Sequence, residues 1–248
     1  SQIYTKFDND SNSDNKKKEE LNKKSDNKNK RKKNSSSITS SSTSTSGTVS
    51  SEENSSCHVA SFILSSLEPY IILLSPLEKL AKGVIKVLLS IWANGPVPEH
   101  DPHNVRGFSF LRLRQIVLIL PEVLTEETFR LIYLTFARTA KSYNEYTASS
   151  VVFMSQSMSE LYQLNISHAY QQGFLSIRQL SLHLRTAILK KSTESLKYIL
   201  TWQYLNCIRL WTRILCSLPS NDDLGPLIYP LVQIIQGIIM VTPSITFL

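Results

Sequence analysis

The sequence predicts an all-α protein, an irregular HEAT- or armadillo-like helical-repeat solenoid behind a disordered N-terminal tail. Three observations lead there. Apolar residues after Ser56 recur at the spacing of one helix face, with little alternation of the kind a strand would show. From Ser1 to Ser56 the chain is mostly Asn, Lys, Ser, Thr and Asp with isolated apolar residues, so burial cannot offset the entropy lost on ordering. Finally, Pro76, Pro121 and Asn165 punctuate the chain at intervals of 45 and 44 residues, the unit length of paired-helix repeats. The next break, before Pro226, comes 61 residues later, and the units share no residue-level similarity. That makes the array irregular.

Two segments follow, a Lys/Asn/Ser-rich tail over residues 1–56 and a partial helical-repeat domain over residues 57–248. In the domain, the spacing predicts helices over Val59–Leu74, Pro76–Ala93, His103–Leu120, Thr125–Lys141, Ala148–Leu164, His168–Lys190, Thr193–Leu218 and Pro226–Val241. Pro76 sits at a tolerated first-turn position, and Pro121 stops the helix before it. Thr125-Glu-Glu-Thr128 places acids at the positive end of the fourth helix. Along the sixth, Tyr170, Phe174, Ile177, Leu180 or Ser181, Leu184 and Ile188 form the expected buried stripe, while Gln171, Arg178 and Arg185 share another face. The seventh buries Leu196, Ile199 or Leu200, Tyr204, Ile208, Trp211 and Leu215. Trp202 and Arg209 lie one heptad apart on it, and Arg213 one turn beyond Arg209.

Charge is unevenly spread. The formal net of +7 divides into 11 basic against 8 acidic residues in the tail and 16 against 12 in the domain, and neither ratio by itself marks a nucleic-acid protein. Two local clusters stand out. Lys28, Lys30, Arg31, Lys32 and Lys33, preceded by Lys16–Lys18 and Lys23–Lys24, have the layout of a nuclear localisation signal; Ser35–Ser51 reads as linker. Between Asn165 and Leu218, Arg178, Arg185, Lys190, Lys191, Lys197, Arg209 and Arg213 face a single acid, Glu194. Guanidinium groups pair bidentately with phosphates or carboxylates, so Arg178, Arg185, Lys190, Lys191, Arg209 and Arg213 are the candidate contacts to RNA or to an acidic protein surface. A solvated outer face is the alternative.

Enzymatic chemistry finds no motif. The glycines are isolated, with neither GxGxxG nor GxxxxGK[ST] for phosphates, and no GxSxG elbow occurs. His100-Asp-Pro-His103 lacks a second ligand pair, and His183, flanked by leucines, reads as a surface or packing residue. No cofactor is called for. Cys57, Cys207 and Cys216 fit neither a disulfide framework nor a CxxC motif, which suggests a reducing compartment. The run Leu224–Val241 is broken by two prolines, two glutamines and two glycines and makes a poor membrane span, so a soluble protein is expected. Trp202, Trp211, Tyr198 and Tyr204 could stack bases, but at helical spacing in an apolar helix core packing is the favoured role.

Three segments carry a family resemblance: Ala169–Ile188, opening Ala169-Tyr-Gln-Gln-Gly-Phe; Thr201–Leu215, opening Thr201-Trp-Gln-Tyr; and Pro226–Ile235, opening Pro226-Leu-Ile-Tyr-Pro. With Phe153–Tyr162 before them, they resemble the nucleolar complex protein 2 family over roughly Leu67–Leu248, most strongly after Val151. The resemblance implies a non-enzymatic helical-repeat scaffold of the nucleolus and nucleoplasm. Such a scaffold pairs alternately with nucleolar complex proteins 1 and 3 on preribosomal particles, precursors of the large ribosomal subunit, with ribosomal RNA a candidate contact. A karyopherin-like nuclear transport adaptor is the alternative from another class. Two features depart from the family: the Asn/Lys/Ser-rich tail, and the end at Phe247-Leu248, where the family's domain continues. A solenoid stopped within a repeat exposes the apolar face of its last unit. Self-association is therefore expected in size-exclusion chromatography with light scattering, and a monodisperse, cooperatively melting monomer would contradict it.

Overall fold

The computed structural model describes residues 49–96, 101–190, 193–217 and 223–241. The basic cluster Lys28, Lys30, Arg31, Lys32 and Lys33, with His100 and Lys191, lies outside the described residues. Every regular element among those described is helical, as the apolar periodicity requires. In chain order they are α1 (Val49–Ser66), a 3-10 segment (Glu68–Leu74), α2 (Glu78–Asn94), α3 (Val105–Ile119), α4 (Glu122–Thr139) and α5 (Glu145–Leu164). Then come α6 (Ile166–Lys190), α7 (Thr193–Ile199), α8 (Trp202–Ser217), a 3-10 turn (Gly225–Leu227) and α9 (Ile228–Val241).

Four elements differ from the sequence reading. Helix α1 begins at Val49, inside the segment read as tail and linker. It also stops at Ser66 instead of running to Leu74, because Pro69 removes an amide donor and disfavours helical backbone at Glu68. The chain continues as a 3-10 segment bent 57° from α1. Helix α4 starts directly after Pro121, so Thr125 is not its cap. The Thr125 hydroxyl instead faces the carbonyls of Leu120 and Pro121 at 3.4 Å, where the two helices meet. The segment read as one helix over Thr193–Leu218 is two, since Thr201 Oγ1 accepts from the Tyr204 amide at 3.2 Å and caps a fresh start. On α6 the buried stripe is Ala169, Gly173, Ser176, Ile177, Leu180, Leu184 and Ala187, while Tyr170, Phe174 and Ile188 are exposed. Small residues let neighbouring helices close in, so the stripe turns towards them.

Packing follows chain order, with α4 at the centre: it touches α2, α3, α5, α6 and α8. Pro76, Pro121 and Asn165 each stand just before a helix that opens a packed pair, α2 with α3, α4 with α5, and α6 with the helices after it. A buried aromatic layer fills the middle. Phe129 of α4 stacks on Tyr162 of α5 at 5.1 Å and on His168 of α6 at 5.4 Å. Trp211 of α8 lies 5.5 Å from Tyr162 and 5.9 Å from Tyr133. Burial raises the Tyr162 phenol above its ordinary range, and its hydroxyl reaches the Phe129 carbonyl at 3.4 Å. Gly173 makes the layer possible, since a Cβ there would stand 2.9 Å from Leu227 and 3.1 Å from Trp211.

Side-chain donors on one helix close carbonyls on another. Arg106 of α3, 1% exposed, donates from Nε to the Trp92 carbonyl in the last turn of α2 at 2.8 Å and from Nη1 to Ser150 of α5 at 2.8 Å. Its guanidinium carbon lies 4.9 Å from the Phe153 ring centroid. Burial pushes the guanidinium below its ordinary value, with Asp101 pulling the other way. The Asp101 carboxylate also accepts the Arg106 amide at 3.2 Å, capping α3. Gly95 gives the Arg106 side chain room, because a Cβ there would stand 2.6 Å from its Cγ. A second buried arginine, Arg112, holds Glu68 of the 3-10 segment at 2.9 Å. In the same way Ser109 donates to the Leu88 carbonyl at 2.6 Å, and Tyr204 to the Leu180 carbonyl at 2.8 Å.

Two substitutions test this packing by urea unfolding. Arg106→Met nearly keeps the volume but leaves the Trp92 carbonyl and the Ser150 hydroxyl without their side-chain donor, with an expected cost of about 2–4 kcal/mol. Gly173→Ala overpacks the aromatic layer and is expected to cost about 1–3 kcal/mol. An unchanged midpoint for either contradicts its role.

Candidate functional site

The candidate basic residues fall on two helices. Arg178, Arg185 and Lys190 are exposed on α6, and Arg209 and Arg213 are exposed on α8. The ion pairs among the described residues join Lys82 and Arg130 to Glu127 and Arg112 to Glu68, and involve none of these five. Their positive charge therefore faces outward.

Of the five described candidates, Arg209 and Arg213 line one concavity together. Helix α8 packs against both α5 and α9, and its outward face carries Arg209, Arg213 and Cys216 at i, i+4 and i+7, with Thr212 beside them. On the α5 flank, Asn206 donates to the Ala140 carbonyl at 3.2 Å and Ser217 meets Ser159 at 3.0 Å. The result is an open groove of about 670 Å³, with α8 as its floor, Val152 and Ser155 of α5 along one wall and Ile235 of α9 along the other. Arg178 and Arg185 do not line it. They remain exposed elsewhere on α6.

Arg209 is held in place by an aromatic step. Its guanidinium carbon lies 5.8 Å from the Tyr143 ring centroid, and Tyr143 packs on Trp202 at 4.9 Å, so a cation–π contact restrains a long side chain that would otherwise wave in solvent. No Asp or Glu lines the groove among the described residues. Trp211 and Tyr204 belong to the core, as the helical spacing indicates. Tyr198 is exposed and stacks at 6.4 Å on His183, which bonds Gln179 at 3.0 Å. Among the described residues no group of three His, Cys, Asp or Glu side chains could hold a metal ion. His103 instead meets His58 edge-on at 5.2 Å.

Sequence reasoning missed the walls of this groove. Val152, Ser155, Tyr143 and Ile235 come from three separate stretches, and no local pattern joins them to Arg209. It also missed Arg106 and Arg112. Their signal is visible in retrospect: both lie on the apolar face of α3, where an unpaired charge would be costly.

The fold and the groove define a class, a protein helical throughout its described regular elements whose described surface carries a groove lined by two arginines. Within that class the sequence places it further. The profile of the Noc2p family matches residues 123–248, and the chain belongs to that family. It is 31% identical over 193 residues to nucleolar complex protein 2 of Drosophila melanogaster, covering 78% of this chain and 24% of that protein. To nucleolar complex-associated protein 2 of Arabidopsis thaliana it is 29% identical over 184 residues, covering 74% and 23%. To the nucleolar complex protein 2 homolog of Caenorhabditis elegans it is 29% identical over 175 residues, covering 69% and 24%. The chain thus spans about a quarter of the length of these relatives.

The cysteines report on the groove. Cys216 is exposed on its floor, Cys57 is half-buried, and Cys207 is buried, with its thiol pushed up to about 12 by burial. Only thiolates alkylate, so iodoacetamide at mildly alkaline pH is expected to modify Cys216 first and Cys207 only after unfolding. Mass spectrometry of timed samples measures the order, and early modification of Cys207 would refute the packing of α8.

Proposed function

We propose that this chain is part of a non-enzymatic scaffold in nucleolar ribosome biogenesis. It supports the assembly, maturation and intranuclear transport of large-subunit precursors by binding sister proteins, nucleolar complex proteins 1 and 3. The reading rests on family membership and on the relatives, which are named as nucleolar complex proteins. The observation that carries it is the set of outward arginines, Arg178 and Arg185 on α6 and Arg209 and Arg213 on α8, outside every ion pair found among the described residues. Exposed cations of this kind await phosphate or carboxylate.

The arrangement proposed for the domain, residues 57–248, is an irregular HEAT- or armadillo-like solenoid. The chain-order packing and the three punctuating residues support it. The tail, residues 1–56, would carry the nuclear localisation cluster at Lys28, Lys30, Arg31, Lys32 and Lys33, giving residence in the nucleus, nucleolus and nucleoplasm. Lys190 and Lys191 would extend the basic surface.

The test replaces Arg178, Arg185, Arg209 and Arg213 together with Ala and measures binding to the sister proteins and to ribosomal RNA separately. At least one affinity is expected to fall about tenfold or more, and any RNA binding should weaken steeply with salt. Loss of neither would sink the role of these residues. Co-purification with import cargo and pore components in place of preribosomal factors would replace the scaffold with a karyopherin-like adaptor.

A further inference from the structure

We propose that the groove over α8 is a docking site for an acidic amphipathic helix of a partner protein, with two carboxylates one turn apart pairing with Arg209 and Arg213. This deepens the interaction reading above by naming the chemistry of one partner segment, and it rests on that reading only for the identity of the partner.

Shape supplies the first argument. A helix flanked by two others that pack against it leaves a channel matched to a fourth helix, since the grooves between its side chains accept the ridges of another helix at about 8–10 Å between axes. Here α8 is the floor and α5 and α9 the walls. Each wall carries an apolar residue beside the charged floor: Val152, 40% exposed on α5 next to Ser155, and Ile235 on α9. An occupant must therefore be amphipathic, carrying charge over the floor and an apolar residue against a wall.

Charge supplies the second. Arg209 and Arg213 stand one turn apart, and residues one turn apart on a second helix have the same spacing of about 5–6 Å. Each guanidinium offers a fork of donors to a carboxylate. Tyr143 already holds Arg209 at 5.8 Å, so less side-chain freedom is lost on pairing. RNA fits less well, for two reasons. A backbone-tracking groove needs cations in succession together with open rings for bases, whereas this one has two arginines between walls of mixed polarity. Its ring, Tyr143, is packed against Trp202.

Cys216, one turn past Arg213 on the same face, makes occupancy measurable. The probes are synthetic Ala-rich helical peptides bearing a Glu pair at i, i+4 and a Leu one turn on, with Gln-pair and Lys-pair analogues, and an oligouridine. Each is added to the full chain while iodoacetamide alkylation of Cys216 is followed by mass spectrometry, with Cys57 as internal reference. The Glu-pair peptide is expected to slow Cys216 about tenfold without slowing Cys57. The Gln-pair peptide should give little protection, in keeping with coupling energies of close charge pairs. Arg209→Glu with Arg213→Glu should abolish that protection and transfer it to the Lys-pair peptide, Cys207 remaining unreactive as proof of the fold.

Equal protection by the Gln-pair peptide, protection by oligouridine in its place, or protection by none of the probes would each overturn the proposal. None of these outcomes touches the binding to preribosomal factors, so the docking site and the scaffold role fail separately.

Discussion

The C-terminal end of every helix leaves carbonyls that no turn of its own can satisfy, and this structure closes some of them with side chains from neighbouring helices. Arg106 is the strongest case. Buried at 1% exposure, it joins the end of α2 to the body of α5 from a position on α3. Three helices are thereby fixed in one register by one guanidinium. The arrangement works because Gly95 leaves space beside it and because Asp101 supplies a nearby negative charge. Asn206 repeats the device at the end of α4, where it takes the Ala140 carbonyl.

From that constraint the groove follows. Asn206 and Ser217 pin one flank of α8 to the α4 end and to α5, while Ile208 and Leu215 are buried on the opposite side. What remains outward is the strip carrying Arg209, Arg213 and Cys216. A helix tied on both flanks cannot rotate its charged strip away, so the two arginines keep their spacing whether or not a partner is bound. Arg178 and Arg185 have the same chemistry and are also exposed, but they do not line this groove.

Small residues set how closely the later helices meet. Gly173 lets the Trp211 indole approach, since a Cβ there would stand 3.1 Å from it. Gly237 does the same for Leu184, which a Cβ would meet at 2.7 Å. Both are packing positions. Their role is to set how closely α6 approaches α8, the 3-10 turn and α9.

Periodicity alone determined that the chain is helical, roughly where most helices lie, which face of α8 is buried and which residues of α6 and α8 carry outward charge. These are properties of one helix at a time, and spacing reports them directly. It misjudged α6, where bulk suggested Tyr170 and Phe174 as core while close approach selected Ala169, Gly173 and Ala187. It passed over Pro69 and Thr201, single residues that break a helix against an otherwise continuous apolar pattern. Only the tertiary structure decided that Arg209 and Arg213 share a groove while Arg178 and Arg185 do not, and that Arg106 is a buried tie. Those facts depend on residues up to dozens of positions away, such as Ser150 for Arg106 and Val152 for Arg209. Contacts of that range leave no mark on local spacing.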